Sequence, residues 1–537
     1  MKLVTVAEMK AIEQEADSKG VSYVVMMERA GAGVARAVQG LLGTSDEGKV
    51  LALVGSGNNG GDGLIALTVL ADWGFQVQAY MAKTGSHASF VEQLTKKGGQ
   101  VLYYDQDENC AQLKTWLEDD PILIDSLLGT GIRLPLSEAY AEILKTATLF
   151  TERLTVVAVD CPSGVDCDSG ECAENTLAAD LTLCMQAVKL GLLSFPAYQY
   201  VGHLDVISLD LPDNLDSEMA VIREVADADC VRRLLPKRPL QANKGTFGTS
   251  MVVAGSINYT GAALLAGQAA YRIGCGLVRM AVPGPLYTAL AGIFPEATWL
   301  LLPHEMGVIH SSAASLVQQN LEKVTALLLG PGWGLEDTTR EFLERILLGK
   351  SSSQKKRNGI GFVMMDSEEE ILSERYLPPL VIDADGLKLL TRIPDWTKII
   401  PPNTVLTPHP GEMSVLTELS VEEIQKNRLE IASKYAREWG HIVVLKGALT
   451  VVAAPDGRIT VMPVANPALA RAGTGDVLAG LITGMIAQGI PSYDAAVGAV
   501  YVHAQAGVEA AEKIGHPAAV LARDVMNAVP LALARLG

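Results

Sequence analysis

Residues 50–63 read VLALVGSGNNGGDG: five aliphatic residues run straight into a turn built almost wholly of glycine and short polar side chains. An unbroken apolar run of this length suits a strand covered on both faces, the cover that helices give a parallel sheet. Gly55, Gly57 and Gly60 satisfy G-x-G-x-x-G, a spacing that turns the backbone tightly into a helix whose N-terminal amides can face a phosphate. A nicotinamide dehydrogenase also needs an acid about 20 residues further on, where the second strand ends. Here that strand ends Tyr80-Met81-Ala82-Lys83, and Asn58, Asn59 and Asp62 supply more polar groups than a pyrophosphate turn requires. The turn points away from hydride transfer.

Similar runs follow at 77–81, 122–125, 155–160 and 181–185, mostly separated by helix-length segments. This alternation predicts a parallel sheet with crossover helices. Ahead of it, Thr5 and Glu8 have capping-box spacing before Met9, Ile12 and Ala16, and a second helical stripe runs from Met26 to Leu41, so two helices open the chain. The pattern stops near Leu211-Pro212, passes through an acidic stretch and the basic RRLLPKRP at 232–239, and resumes from Met251. The reading is residues 1–215 as one α/β domain, 216–228 as a linker and 229–537 as a larger α/β domain, ending in a long apolar helix from Asp476. Serine, lysine and acidic residues at 351–370 predict a solvated loop.

The 537 residues suit two domains. A formal charge of -18 repels nucleic acid. Seven cysteines without paired C-x-x-C spacing read as reduced thiols. The charged amino terminus is unlike a signal peptide, and no apolar stretch reaches membrane-spanning length, so a cytoplasmic protein is expected with no membrane partner.

Two further strand ends carry polar turns: Asp125 followed by Gly129-Thr130-Gly131, Arg133 and Pro135, and Asp160 followed by Ser163. In a parallel sheet these ends share one rim. Their amides could hold phosphate and their carboxylates could move a proton or bind a cation; alternatively each Asp caps the next helix. In the second half, Gly473-Thr474-Gly475 leads into an apolar helix, so amides converge where a transferring phosphoryl group could sit, and Asp476 is placed to take a hydroxyl proton. The alternative there is an ordinary N-cap aspartate.

NNGGDG, LLGTGIRLP and VDCPSGVDCDSG, within residues 1–215, resemble the NAD(P)H-hydrate epimerase domain. KGTFG (244–248), GAALLAG (261–267), GPGWG (330–334), TPHPGE (407–412), LKGALT (445–450) and NPALARAGTGD (466–476) resemble the ribokinase-like NAD(P)H-hydrate dehydratases. The resemblance implies a Rossmann-like three-layer α/β/α domain followed by a ribokinase-like α/β/α domain, a fused enzyme repairing hydrated NADH and NADPH, and a homo-oligomer. One domain would interconvert the two hydrates. The other would use ADP or ATP, with Mg2+, to phosphorylate the ring hydroxyl of one epimer, after which phosphate leaves.

It further implies that the hydrate meets Asn58, Asn59, Gly60, Gly61 and Asp62, then Gly129, Thr130, Gly131, Ile132, Arg133, Leu134 and Pro135, with Tyr140 and Asp160. K+ would lie at Asn59, Asp125 and Ser163, and Asp160 would be the acid/base. Lys189 reads as a surface lysine beside them. In the dehydratase the hydrate would contact Ala262, Gly332, His409 and the base Asp476, and the nucleotide would lie along Lys446, Gly447, Ala448, Leu449, Thr450 and Gly475. Asp383 and Asp385 could orient Mg2+ or their loop. Asn243, Ala468 and Arg471 depart from the family pattern in fine contacts. A ribokinase-like small-molecule kinase with a non-catalytic first domain is the alternative; it predicts a stable phosphorylated product.

Overall fold

The computed structural model describes residues 1–42, 48–349 and 377–537, and the expected loop at 351–370 lies outside them. The chain divides into two compact units, Met1–Val225 and Ala226–Gly537. Residues Asp216–Met219 form a short helix and Arg223–Val225 a short strand in the first unit.

In the first unit the capping box forms: Glu8 N donates to Thr5 Oγ1 (3.1 Å) and Thr5 N to Glu8 Oε2 (2.8 Å). These bonds satisfy amides that the helix Val6–Ser18 would otherwise leave open. A second helix, Tyr23–Leu42, follows. The sheet orders its strands Gln100–Tyr103, Gln76–Met81, Lys49–Val54, Ile122–Ser126, Thr155–Val159, Leu181–Met185 and His203–Ile207, all parallel. Helices cover both faces, with Leu64, Leu67 and Leu70 buried on one side and Leu113, Leu117 and Leu144 on the other; each fully buried leucine contributes about 1.5–3 kcal/mol. The chain adds strands to one side of Lys49–Val54 and then to the other. That reversal opens a crevice at the carboxyl ends of Lys49–Val54 and Ile122–Ser126.

The second unit repeats the design. From one edge its strands run Ile459–Val461, Val451–Ala453, Ile442–Leu445, Val405–Leu406, Leu380–Ile382, Ala326–Leu329, Thr249–Val253, Leu277–Pro283 and Thr298–Leu302. Val451–Ala453 pairs antiparallel with both of its neighbours, and the remaining pairs are parallel. On one face the helix Thr474–Ala487 lies against Thr260–Arg272, and a Cβ on Gly480 would come within 2.2 Å of Ala266 O, so that contact demands glycine. The apolar helix begins at Thr474 instead of Asp476, because Gly473 caps it in a left-handed conformation (φ 92°) and the Thr474 hydroxyl donates back to Leu469 O and Arg471 O. Among the described residues no helix is long and apolar enough to cross a membrane.

Candidate active sites

The first crevice is a cleft of about 1020 Å³. The three turns expected on one rim all line it, through Asn58, Asn59 and Asp62, through Gly129 to Arg133 with Pro135, and through Asp160. Tyr140 also lines it, with its hydroxyl 3.2 Å from Ser56 Oγ. Asn58 opens the helix Asn58–Asp72, so the amides of this glycine turn stand at a helix N-terminus.

Behind the rim, Asp125 is fully buried. It accepts from Ser163 N (2.7 Å) and Ser163 Oγ (2.5 Å), and burial pushes its carboxyl up to about 6 against these bonds. Asn59 donates through Nδ2 to Leu128 O (2.9 Å), and Ser163 Oγ accepts from Leu128 N (2.8 Å). Both side chains are thus tied to one residue. Among the described residues Asn59 Oδ1 is buried with no hydrogen-bond partner, a costly arrangement unless something else satisfies it. An orphaned amide oxygen near a buried carboxylate that has only neutral donors is the donor set a hard cation fits.

Asp160 occupies the left-handed region (φ 66°) and accepts from Met185 N (3.0 Å) and from the Lys189 ammonium. The surface role expected for Lys189 is overturned. Its side chain is buried and also donates to Met185 O at 3.1 Å. Burial alone would depress its pKa, but the Asp160 carboxylate reverses this and raises it. Sequence periodicity carries no sign of this pairing, which joins a strand end to the short strand Val188–Lys189.

In the second unit Asp476 lies in the first turn of its helix, three residues after the Gly473 cap, so it is not the N-cap. Burial, with the Asp383, Asp385 and Glu412 carboxylates, pushes Asp476 up to about 7, and Lys446 pulls the other way. The Lys446 ammonium is 2.7 Å from Asp383 Oδ1 and 3.7 Å from Glu412 Oε2; a Cβ on Gly475 would stand 3.3 Å from it. The cation therefore faces the glycine turn. Asp383 also accepts from Thr407 Oγ1 (2.7 Å), and Asp385 accepts from Gly334 N (3.0 Å) and Lys388 Nζ (3.2 Å). Both hold their loops together.

His409 has a definite local task. Its Nδ1 accepts from Gly411 N (3.0 Å) and Glu412 N (3.2 Å), capping the helix Pro410–Thr417 and leaving the ring proton on Nε2. Its side chain stays half-exposed. Ala262 and Gly332 touch: a Cβ on Gly332 (φ 65°) would lie 2.8 Å from the Ala262 Cβ. In the loop that begins at Lys446, Leu449 N donates to Val464 O (3.3 Å) and Thr450 Oγ1 to Gly447 O (2.9 Å). Arg428, which sequence patterning leaves among helix charges, donates from Nη2 to Leu445 O (2.8 Å) and Lys446 O (3.1 Å) beneath this loop. Asn243 caps its own turn by accepting from Gly245 N at 2.9 Å.

The family described as NAD(P)H-hydrate dehydratase matches residues 250–356 and 358–531, and the one described as YjeF-related protein N-terminus matches residues 24–191. The bifunctional NAD(P)H-hydrate repair enzyme of Moorella thermoacetica is 33% identical over 551 residues, spanning 100% of this chain and 97% of its own. That of Escherichia coli is 28% identical, spanning 96% and 90%. Among solved structures, the ADP/ATP-dependent NAD(P)H-hydrate dehydratase from Bacillus subtilis, co-crystallized with ATP and Mg2+, is 29% identical. It covers 58% of this chain and 99% of its own with a TM-score of 0.48.

Proposed function

Since the chain belongs to the family of bifunctional NAD(P)H-hydrate repair enzymes, we propose that it returns hydrated NADH and NADPH to use in two steps, one in each unit. The first unit interconverts the hydrate epimers in its cleft. Asp160 serves there as acid/base, and Lys189 holds its carboxylate in place. The glycine turns at 58–62 and 129–135 receive the dinucleotide. Asn59, Asp125 and Ser163 would hold K+, which when bound supplies fixed positive charge beside the buried Asp125.

The second unit phosphorylates the ring hydroxyl of one epimer from ADP or ATP. Asp476 takes the hydroxyl proton, and the amides at Gly473 to Gly475 with Lys446 stabilise the charge on the transferring phosphoryl group. Phosphate then departs as the neighbouring ring C–H gives up its proton, restoring the double bond. Mg2+ would arrive on the nucleotide's phosphates and neutralise them; around Asp476 the carboxylates of Asp383, Asp385 and Glu412 give the oxygen-rich setting that such an ion takes. The hydrate rests against Ala262, Gly332 and His409, and the nucleotide along Lys446 to Thr450.

The observation that carries this reading is the convergence of Gly475, Lys446 and Asp476: an ammonium, helix N-terminal amides and a carboxylate poised near neutrality. The test incubates the full chain with mixed NAD(P)H hydrates and ADP, then ATP, and follows the reduced-nicotinamide absorbance. Full recovery is expected with the native protein, half recovery at the enzymatic rate with D160N, and none with D476N. A stable phosphorylated product in place of recovered NAD(P)H would favour a small-molecule kinase.

A further inference from the structure

Asp62 stands apart from the other carboxyl groups of the first cleft. It is 8% exposed and lines the cleft together with Asp160, and its carboxyl accepts no hydrogen bond from any described residue. The helix Tyr23–Leu42 packs against its backbone: a Cβ on Gly31 would lie 2.8 Å from the Asp62 main-chain O. Three charged groups face it, the carboxylates of Asp160 and Glu13 and the ammonium of Lys189. Lys189 is already engaged with Asp160. Burial, then the two carboxylates, hold the Asp62 carboxyl well above the usual range, which favours its protonated form. Asp160, by contrast, is held by the Lys189 ammonium and by Met185 N. One cleft thus holds a buried carboxyl without a donor and a second carboxyl held by an ammonium, the unlike surroundings that an acid and a base need.

On the reading of this cleft as an epimerase, which the inference rests on, inversion must move a hydroxyl from one face of a ring carbon bonded to nitrogen to the other. We propose that Asp62 is the general acid of this inversion: it protonates the ring hydroxyl, which leaves as water while the ring nitrogen's lone pair forms C=N⁺, and Asp160 deprotonates the water that adds to the opposite face. One C–O bond breaks and one forms, one water leaves and one enters, and the proton lost by Asp62 is matched by one gained by Asp160. Exchange of protons with solvent resets the pair. Water is the only co-reactant.

The experiment uses the full chain carrying D62N, D62E or D160N, a single hydrate epimer and water enriched in ¹⁸O. With D62N, which donates a hydrogen bond but no proton, kcat for inversion is expected to fall about 10²–10⁴-fold with KM changed by no more than about threefold. The native enzyme loses rate as pH rises and Asp62 ionises; D62E keeps that limb, and the residual rate of D62N is flat across it. Each inversion should place one ¹⁸O in the ring hydroxyl. D62N is isosteric with the protonated carboxyl, so its melting temperature should match the native value. A D62N kcat within about threefold of native, or inversion without ¹⁸O uptake, overturns the proposal. If D62N inverts normally while D160N does not, the role of Asp62 falls and the epimerase reading stands. If both invert normally, that reading of the cleft falls too.

Discussion

Lys446 and Asp383 form a largely buried ion pair, 2.7 Å apart, at the turn where the second unit's helix begins. Asp383 is 1% exposed, so removing the ammonium strands a charge away from water. K446M is expected to lower the stability of this unit by about 3–5 kcal/mol, and D383N added to it should return much of that loss. Denaturant melts of the two variants check this. Equal melts would show the pair to be energetically idle. Dehydration should be absent in both.

Asp476, pushed up to about 7 by burial ahead of its neighbouring carboxylates, is the base only when ionised. Dehydration kcat/KM should therefore fall about tenfold per pH unit below about 7. The stability effect has the opposite sense. A raised carboxyl favours the native state while protonated, and that advantage is lost as pH rises from about 4 to about 7. D476N should thus melt like the native chain at pH 4 and above it at pH 8, while abolishing dehydration and sparing epimerisation. A pH-independent difference in melting would count against the burial of this group.

Asn59 Oδ1 and the Asp125 carboxylate should make the first unit sensitive to K+ even without substrate. Titrating KCl against choline chloride should raise its melting temperature, by the equivalent of about 2.7 kcal/mol at a hundredfold excess over Kd. N59A and D125N should erase that shift. A shift that survives in both variants would place the ion elsewhere.

Arg428 braces the loop that begins at Lys446 through Leu445 O and Lys446 O. R428A removes a donor from two carbonyls, a loss of about 1–3 kcal/mol, and should loosen the loop. The KM for ADP or ATP is expected to rise about tenfold or more, with the hydrate KM unchanged and R428K intermediate. Steady-state kinetics with each substrate varied in turn separate the two effects. A matched rise in both KM values would mean that the whole unit is disturbed.

The central strands are legible in the sequence because burial on both faces requires unbroken aliphatic runs, as at Lys49–Val54 and Ile442–Leu445. Gln100–Tyr103, His203–Ile207 and Thr298–Leu302 interrupt their apolar residues with polar ones or leave them half-exposed, so they escape notice. The glycine turns announce the rim of each site, since close backbone approach selects for glycine. Lys189 does not announce itself, because a lysine amid AVKLGL reads as solvated until the fold brings Asp160 beside it. His409 reads as a contact residue, and its work as a cap appears only once Gly411 N and Glu412 N are in place. Arg428 is hidden in the same way: its acceptors are backbone carbonyls, which no side-chain pattern records.

The left-handed backbone at Asp160 (φ 66°) decides how its chemistry can be dissected. Aspartate and asparagine tolerate that geometry better than alanine does. An alanine replacement would therefore mix a conformational penalty with the loss of charge. Asparagine keeps the turn but leaves the buried Lys189 ammonium without its carboxylate, so a D160N rate is read as lost proton transfer once its melt matches the native one.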